Sequence, residues 1–451
     1  MPPSLVHYSD VENAYDDPDH VGRLAGTIES LRDEATVVCG TGDNTGPGVL
    51  AMVTEGRQSL PFYDAVAPEF ETFGNHDFDH GVDAIRGIVA DSPQQWLTAN
   101  VVDGDGQRFL ANETAPWALR NVDGTTVGFV GVTDPKTTAY VPETGALEFL
   151  DPTAPVQQAA EALRERGAEW VVVLSHLGRL DETLAAETDV DVILGGHVHS
   201  EIVERLDETL ITRPGVNGEI VYEITLGESP AVIRHEVEDG SVNEGVARAM
   251  DKLREEAGLD EVVGHVADPI RRTESTAFRG ESRIGNFVAD AYRWAADADV
   301  GLQNSGGIRE GPPLVGDVSV ADLVSVVPFD EPVAVAELTG AELRTVIRQC
   351  SGANVGFGAS DWWNGHLSGL SVVWDRSDGE IVTLSVDGSP VDGDETYSVA
   401  TADFLFYTTE EFPVLDESHR RGTLDTQYRV MADYARAEGI DPRVEDRIVY
   451  R

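Results

Sequence analysis

The first half of the chain alternates short apolar runs, rich in β-branched residues, with longer segments of helical periodicity. Apolar runs of about four to eight residues, separated by helices, are typical of buried strands in a largely parallel sheet. The pattern predicts helices over 22–34 and 153–166, with strands on either side of them. We therefore predict an α/β sandwich for this half of the chain.

The second half has a different pattern, in which short strands follow one another with Asp-Gly turns between them. The spacing of apolar residues predicts an amphipathic helix over 281–296. We predict a first domain over 1–240 and a separate α+β domain over 262–451. The segment between them, 241–261, contains a charged helix at 244–259, which we interpret either as a connector or as the terminal helix of one neighbouring domain.

Acidic residues outnumber basic ones along the whole chain, with 81 Asp and Glu against 32 Lys and Arg, which gives a formal net charge of −49. Such a field repels nucleic acids and anionic membranes, so we expect neither as a partner. Self-repulsion also opposes a compact fold unless salt screens it. We therefore hypothesise a halophilic protein, from a high-salt cytoplasm. The alternative is an unusually acidic protein from ordinary salt.

The chain shows no predicted membrane span and no secretion signal. No apolar run approaches the ~18 residues of a spanning helix, and the first residues lack a basic region followed by an apolar one. The two cysteines, Cys39 and Cys350, lie far apart and do not suggest a disulfide scaffold. Because 41% of the residues are hydrophobic, the chain can bury sizeable cores. We predict a folded, cytoplasmic protein.

Polar residues that bind hard or borderline metal ions follow the predicted strands. They are Asp10, Asp43, Asn75, His176, His197 and His199. Because ligands bind beyond the carboxyl ends of strands in open α/β sheets, we expect these side chains to converge on one rim. Carboxylate, amide and imidazole ligands without thiolate suit Mn²⁺, Zn²⁺, iron or Mg²⁺. The alternative is that each of these residues is an ordinary surface residue. This would require a polar, metal-binding residue type to follow each of these strands by chance.

Several short motifs occur in a specific order. They are SDVENAYD at 9–16, GTGDNTG at 40–46, GNHDFD at 74–79, SHLG at 175–178, GGHVH at 195–199 and QNSGGIR at 303–309. With these motifs the chain resembles the 5′-nucleotidase family, in which a calcineurin-like metallophosphoesterase domain precedes a 5′-nucleotidase C-terminal domain. The resemblance implies a four-layer αββα sandwich followed by a second, α+β domain. It also implies release of phosphate from nucleoside 5′-monophosphates by in-line attack of a metal-bound hydroxide.

The resemblance further implies a site with two divalent metal ions. The implied ligands are Asp43 as the bridge, Asp10 and His199 on the first metal, and Asn75, His176 and His197 on the second. His76 would stabilise the transition state or the leaving oxygen without binding metal, and Asp79 would orient its ring. Two ions about 3.5–4 Å apart can clamp both the attacking and the leaving oxygen of a phosphoryl transfer.

One residue departs from the family pattern at the first metal. Where the family has Asp-x-His, this chain has Asp10, Val11 and Glu12. Glu12 either ligates through oxygen, which we prefer, or is one more surface acid that leaves a water molecule in its place. An oxygen ligand makes the site harder. We therefore expect manganese or zinc, with a tilt toward manganese and with iron or magnesium as alternatives.

The C-terminal half supplies the candidate contacts to a nucleotide. The resemblance implies an aromatic clamp on the base, for which Phe329 and Phe404 are the matching residues, with Tyr407 as alternate for the second. Arg309 is the candidate for phosphate or ribose, because its planar fork suits oxyanions. The family's Gly-Gly-Asp after the second phenylalanine is replaced by Thr-Thr-Glu-Glu at 408–411. For both phenylalanines, ordinary core packing is the alternative.

Other functions are compatible with these residues. The same metal centre with another pocket would serve a 2′,3′-cyclic-nucleotide phosphodiesterase or a UDP-sugar hydrolase. A catalytically inactive nucleotide-binding sensor is the alternative of another class, and the intact GNHD and GGHVH motifs speak against it. A small-molecule nucleotide is the expected partner in each case, and the pattern predicts no oligomeric state.

Overall fold

The computed structural model of the chain describes residues 2–141, 144–354, 359–408 and 410–451. It divides into two compact units, one that ends at Ala257 and one from Gly258 to Arg451. Our finer division, with a connecting segment at 241–261, stays a proposal.

The first unit contains the strands and helices of the predicted sandwich. Its strands are β1 Ser4–Tyr8, β2 Thr36–Thr41, β3 Phe70–Thr72, β4 Gln95–Leu97, β5 Val101–Val102, β6 Thr114–Ala115, β7 Trp117–Val122, β8 Thr125–Thr133, β9 Glu148–Phe149, β10 Trp170–His176, β11 Val192–Gly195, β12 Glu201–Leu206, β13 Thr209–Pro214, β14 Ile220–Thr225 and β15 Ala231–Glu236. Its helices are α1 Pro18–Ser30, α2 Val49–Thr54, α3 Ser59–Val66, α4 Gly81–Asp91, α5 Thr137–Tyr140, α6 Thr153–Glu165, α7 Leu180–Glu187 and α8 Glu244–Glu256.

Two sheets face each other in this unit. The first has the strand order β15-β14-β1-β2-β3-β4-β6, and the second has the order β12-β13-β11-β10-β8-β7. Strands β1, β2, β3 and β4 run parallel to one another in the first sheet, as do β8, β10, β11 and β13 in the second. A buried apolar layer that includes Phe70, Phe129 and Leu174 lies between the sheets.

Helices cover the outer faces of both sheets. Helices α6 and α7 contribute Val156, Leu163 and Leu184 to a buried cluster on the second sheet. On the first sheet, the ring of Phe62 from α3 packs edge-on against Tyr8, with ring centroids 5.5 Å apart. Helix, sheet, sheet and helix thus form the predicted four-layer αββα sandwich.

Helix α1 begins four residues before the predicted start at 22 because its start signals precede the apolar stripe. The carboxylate of Asp17 accepts hydrogen bonds from the backbone amides of Asp19 and His20, each at 3.1 Å. Pro18 occupies the first turn, where its missing N–H costs no hydrogen bond. Capping thus sets where this helix begins.

The charged helix predicted at 244–259 is α8, the last helix of the first unit. Asn243 caps it by accepting hydrogen bonds from the amides of Gly245 and Val246. Its apolar stripe, with Val246 and Met250, is buried. The burial of this stripe ties α8 to the sandwich.

The second unit is a smaller α+β domain. Its strands are β16 Val262–Arg272, β17 Val300–Gln303, β18 Gly311–Ser319, β19 Pro332–Thr339, β20 His366–Ser368, β21 Leu370–Asp375, β22 Glu380–Val386, β23 Ser389–Pro390, β24 Thr396–Ala402, β25 Arg420–Thr426 and β26 Ile448–Tyr450. Its helices are α9 Glu274–Phe278, α10 Arg283–Ala296, α11 Val320–Val326, α12 Gly340–Gln349 and α13 Gln427–Glu438. The helix predicted over 281–296 is α10, and Ser282 caps it.

A five-stranded sheet with the order β20-β17-β24-β19-β25 forms the centre of this unit. Strands β17 and β24 are parallel, and β19 runs antiparallel to β24. The segments that follow β17 and β24 therefore lie at the same sheet edge as the segment that precedes β19. Trp363 and Trp374 belong to the buried core between this sheet and the smaller sheet β23-β22-β21-β26.

The two cysteines are free thiols in different units. Cys39 lies on β2 of the first unit and Cys350 follows α12 in the second, and each is 0% exposed. Burial raises the pKa of both thiols. In the described part of the chain, no helix has the length and apolar character needed to cross a membrane.

Candidate metal centre and nucleotide-contact loops

The predicted metal ligands lie at the carboxyl ends of strands in both sheets of the first unit. Asp10 follows β1, Asp43 follows β2, Asn75 follows β3, His176 ends β10, and His197 and His199 follow β11. Their ligand-type atoms form two clusters, each with all atoms within 4.8 Å of one another, namely Asp43, His176 and His197 in one and Asp10, Glu12 and His199 in the other. We call these the histidine-rich cluster and the acidic cluster.

In the histidine-rich cluster, Nε2 of His176 lies 2.9 Å from Oδ2 of Asp43. Nδ1 of His176 lies 2.7 Å from the backbone carbonyl of Thr41 and donates to it, so Nε2 is the nitrogen directed at the cluster and the one that could bind a metal ion in the neutral ring. Nδ1 of His197 lies 2.8 Å from Oδ1 of Asn75, which adds the amide oxygen to the same group. The ends of four strands from two sheets thus meet here, those of β2, β3, β10 and β11.

In the acidic cluster, Nε2 of His199 lies 2.9 Å from Oε1 of Glu12 and 3.8 Å from Oδ1 of Asp10. Glu12 is 4% exposed, so it is not a surface acid. Burial raises the pKa of Asp10 to about 7, and the charge of Asp43 adds to the rise, while His176 opposes it. The two clusters therefore influence each other electrostatically.

Two buried atoms at these clusters have no hydrogen-bond partner among the described residues, namely Nε2 of His176 and Oε1 of Glu12. Each has a ligand-type atom 2.9 Å away, without the geometry of a hydrogen bond. Buried carboxylates are costly unless cations pair with them. Burial lowers the pKa of His176, but the carboxylates of Asp43 and Asp10 outweigh it and raise that pKa to about 10. The residues therefore fit two divalent cations.

Four residues of the two clusters have left-handed backbones. Their φ values are 49° at Asp10, 43° at Glu12, 52° at Asp43 and 72° at His197. Non-glycine residues adopt this conformation rarely, and it concentrates at functional sites. Backbone hydrogen bonds hold the two acidic loops together, since the amide of Asp10 donates to Gly42 at 3.0 Å and that of Glu12 donates to Asp43 at 3.3 Å. The fold thus fixes the direction of each carboxylate.

Motif glycines let the loops approach the carboxylates. A Cβ on Gly74 would collide with the carboxylate of Asp43. A Cβ on Gly196 would lie 2.8 Å from Oδ2 of Asp10 and 2.9 Å from Nδ1 of His176. Side chains at these two positions would displace the carboxylates of Asp43 and Asp10 and the ring of His176.

His76 lies beside the clusters, paired with Asp79. Nδ1 of His76 lies 2.8 Å from Oδ2 of Asp79, and its backbone amide donates to Oδ1 of Asp43 at 2.7 Å. Burial lowers the pKa of His76, but the carboxylates of Asp43 and Asp79 outweigh it and raise the pKa to about 10. With Nδ1 directed at Asp79, Nε2 is the ring nitrogen left to donate a proton.

Sequence reasoning missed an acidic residue that organises the loops after β2 and β3. Asp77 is buried and accepts hydrogen bonds from four backbone amides, those of Asp43, Asn44, Thr45 and Gly74, at 3.1, 3.2, 3.0 and 2.7 Å. Its position inside the GNHDFD motif, between the candidate residues His76 and Asp79, could have identified it. Asp77 connects the loop after β2 to the loop after β3.

The predicted nucleotide contacts of the second unit lie at one edge of its central sheet. The guanidinium carbon of Arg309 lies 4.9 Å from the ring centroid of Phe329, a cation–π contact. Glu411, which sequence reasoning did not select, accepts hydrogen bonds from the side-chain amides of Asn304 and Asn364 at 3.0 and 2.9 Å. This edge therefore presents a cation, an aromatic face and a carboxylate.

Phe404 follows β24 at the same edge and is 39% exposed. Core packing, the alternative for this residue, therefore does not describe its position, and its neighbour Phe406 is buried instead. Tyr407 is 63% exposed, and its hydroxyl accepts a hydrogen bond from Arg420 at 2.8 Å. Thr409, in the stretch that replaces the family's Gly-Gly-Asp, lies outside the described residues.

Two protein families match the chain, in the order expected from the motifs. Calcineurin-like phosphoesterase matches residues 4–201, which contain every candidate metal ligand. The 5′-nucleotidase C-terminal domain matches residues 262–417, which contain Arg309, Phe329 and Phe404. The first family implies a centre with two divalent metals.

The chain is 25% identical over 403 residues to Endonuclease YhcR of Bacillus subtilis, a match that covers 81% of this chain and 32% of that protein. It is 24% identical over 509 residues to an apyrase of Tabanus yao, covering 97% of this chain and 91% of the apyrase. The chain thus spans about a third of the first relative and most of the second.

A 5′-nucleotidase precursor from Thermus thermophilus has the same fold, with a TM-score of 0.68 and 23% identity over 100% of this chain and 99% of that one. Its likeness spans both units of the structure. Fold and paired family matches agree with the motifs of the sequence. The chain belongs to the 5′-nucleotidase family of metal-dependent phosphoesterases, with a calcineurin-like phosphoesterase domain followed by a 5′-nucleotidase C-terminal domain.

Proposed function

We propose that this chain hydrolyses nucleoside 5′-monophosphates to nucleoside and phosphate at a centre of two divalent metal ions. The observation that carries the proposal is the meeting of two ligand clusters at the carboxyl ends of strands from both sheets. Buried carboxylates beside imidazole nitrogens match the needs of a pair of cations that act on a phosphoryl group.

We assign the ligands by cluster. Asp10, Glu12 and His199 would hold the first ion, Asn75, His176 and His197 the second, and Asp43 would bridge them. The acidic cluster offers two carboxylates, which favours a hard ion, so manganese is our first choice and zinc our second, before iron or magnesium.

Glu12 is the residue whose assignment is easiest to test. We expect Glu12→Ala to weaken the binding of one ion, and Glu12→His to shift the preference from manganese toward zinc, because imidazole is a softer ligand than carboxylate. Metal content after chelation and reloading would measure both effects. An E12A variant that keeps full activity and full metal content would contradict the ligand role.

When bound, the two ions would polarise the phosphoryl oxygens and lower the pKa of water at the site. The chain's own residues do the remaining work. Asp79 holds the Nδ1 proton of His76, which leaves Nε2–H to donate to an oxygen of the phosphoryl or leaving group. Asp77 and the left-handed loop backbones keep the carboxylates in place.

We propose that the second unit recognises the nucleoside. Phe329 and Phe404 would stack on the base, and Arg309 would bind phosphate or ribose oxygens. The exposure of Phe404 and the contact between Arg309 and Phe329 support this assignment.

The test is a substrate screen in molar KCl with manganese or zinc present. It compares AMP and other mononucleotides with cyclic nucleotides, UDP-sugars, an aryl phosphate and a polynucleotide. We expect the highest kcat/KM with a 5′-mononucleotide. Preference for a cyclic nucleotide, a UDP-sugar or a polynucleotide would replace the proposed substrate, and nucleotide binding without turnover under each metal would support the sensor alternative.

We also propose that the chain works in a high-salt cytoplasm, because its net charge is −49. Salt screens the repulsion among its acidic residues, so we expect the melting temperature to rise steeply from low salt to molar KCl. Thermal unfolding at several KCl concentrations measures this. A melting temperature indifferent to salt would contradict the halophilic assignment.

A further inference from the structure

An acidic residue that sequence reasoning did not select lies beside the histidine-rich cluster. Asp134 directly follows β8, the strand next to β10 in the second sheet, and it is 4% exposed. Its Oδ2 lies 3.3 Å from Nε2 of His197, while Nδ1 of the same ring lies 2.8 Å from Oδ1 of Asn75. We infer that Asp134 is a positioning residue that keeps the proton of His197 on Nε2 and leaves Nδ1 as the metal-binding atom. This inference rests on the metal centre proposed above.

His176 provides a comparison inside the same cluster. Its Nδ1 donates to the carbonyl of Thr41 at 2.7 Å, and its Nε2 faces the carboxylate of Asp43. In His197 the two nitrogens have the opposite roles. Nε2 faces the carboxylate of Asp134, and Nδ1 faces the cluster beside Asn75. An oxygen acceptor on the nitrogen away from the metal fixes the tautomer and the orientation of a ligating histidine.

The backbone holds Asp134 in this position. Its Oδ1 accepts a hydrogen bond from the amide of Lys136 at 3.0 Å. Its main-chain carbonyl accepts from the amide and the hydroxyl of Thr137 at 3.1 and 2.8 Å. With Oδ1 fixed by the turn, Oδ2 is the oxygen directed at His197. A carboxylate anchored in this way can set the ring more firmly than a mobile surface acid.

The substitution Asp134→Asn separates positioning from structure. The amide oxygen of D134N can still accept from Lys136 and preserve the turn. Its NH₂ group, however, is a donor and cannot accept a hydrogen bond from Nε2 of His197. The ring is then driven toward the tautomer that carries its proton on Nδ1, where it blocks metal binding through that atom. The same exchange of carboxylate for amide beside a histidine selects the wrong tautomer in serine proteases.

The experiment is a calorimetric titration of chelator-stripped protein with Zn²⁺ in molar KCl. Asp103→Asn is the matched control, because Oδ1 of Asp103 also accepts from the amide two residues on, at 3.0 Å, in the same unit. We expect wild type and D103N to bind two ions alike, and D134N to bind one of them about 10–100-fold more weakly. Wild-type affinity for both ions in D134N would overturn the inference.

A second readout is the ¹⁵N spectrum of the zinc-loaded, histidine-labelled protein. We expect the His197 proton on Nε2 in wild type, and this measurement does not depend on whether D134N folds. A proton on Nδ1 of wild-type His197 would overturn the inference while leaving the two-metal centre intact. A wild-type protein that binds no divalent ion would contradict the proposed function instead, so the two failures are distinguishable.

Discussion

The two units carry their candidate chemistry in opposite ways. In the first, the candidate carboxylate ligands and His176 are buried, His199 is half exposed, and left-handed backbones and hydrogen bonds between loops fix the carboxylates. In the second, Arg309 and Phe404 stand exposed on loops at a sheet edge. The difference agrees with the proposed division between a centre that binds metal ions and an open surface that recognises the base. Substitutions in each unit should therefore change different kinetic constants.

The largest expected effect comes from the shared carboxylate of the first unit. Asp43→Asn keeps the shape of the side chain but removes the charge that both clusters require. We expect kcat/KM to fall by about 10³-fold, with loss of at least one bound ion. Steady-state kinetics and metal analysis measure this, with Asp64→Asn, an exposed acid on α3, as the control. A D43N variant that keeps both ions and normal turnover would contradict the proposal that the first unit holds the metal centre.

The next effect concerns proton donation beside the centre. Asp79→Asn removes the carboxylate that accepts from Nδ1 of His76. We expect kcat to fall about 10²-fold, with KM and metal content unchanged, because His76 loses its orientation and charge. Asp83→Asn, an exposed acid of α4 paired with Arg86, is the control. If KM rather than kcat changed, His76 would be a binding residue.

A third prediction concerns the stability of the second unit at low pH. His366 is fully buried, and burial lowers its pKa from 6.5 to about 4. The unfolded chain therefore takes up this proton first, so stability is complete above pH 6.5 and is lost as the pH falls toward 4. The loss should reach about 2 kcal/mol at pH 5.

Denaturant unfolding between pH 7 and pH 5 measures this loss. In His366→Gln the slope with pH should shrink, whereas His265→Gln, a largely exposed control in the same unit, should keep it. An unchanged slope in H366Q would show that another group governs the acid sensitivity of this unit.

The smallest expected effect comes from the exposed aromatic residues of the second unit. Phe404→Ala removes an exposed aromatic ring, and loss of one stacked base contact should raise KM for a mononucleotide about tenfold, with kcat unchanged. Tyr407→Ala is the matched variant, because Tyr407 is the other exposed aromatic of this segment. A larger rise in KM for Y407A would make Tyr407 the second aromatic of the clamp.

Strand periodicity predicted the α/β class and the convergence of the candidate metal ligands, whereas the four-layer arrangement was implied by the family resemblance. Each ligand ends a buried strand, and parallel strands bring such residues to one rim regardless of sequence distance. The start of α1 was wrong by four residues, because capping by Asp17 outweighed the apolar pattern. The two-metal assignment itself stays a prediction.

Residues that act through backbone contacts could not be found in this way. Asp134 looks like one of many acids in an acidic chain, and Asp77 is marked only by its place inside GNHDFD. The structure reveals their contacts with loop amides and with His197. The pattern of apolar residues could not predict the exposure of Phe404 either, because Phe406, two residues later, has the same side chain and is buried. Loop conformation rather than periodicity decides which of the two rings faces solvent.

The placement of the two buried thiols makes the local unfolding of each unit measurable by thiol labelling. Cys39 and Cys350 are sealed in separate units, so a thiol-reactive dye can label each one only when its own unit opens. Peptide mapping of the labelled sites would then time the opening of each half independently, without any engineered probe. Diluting the salt would reveal which half loosens first.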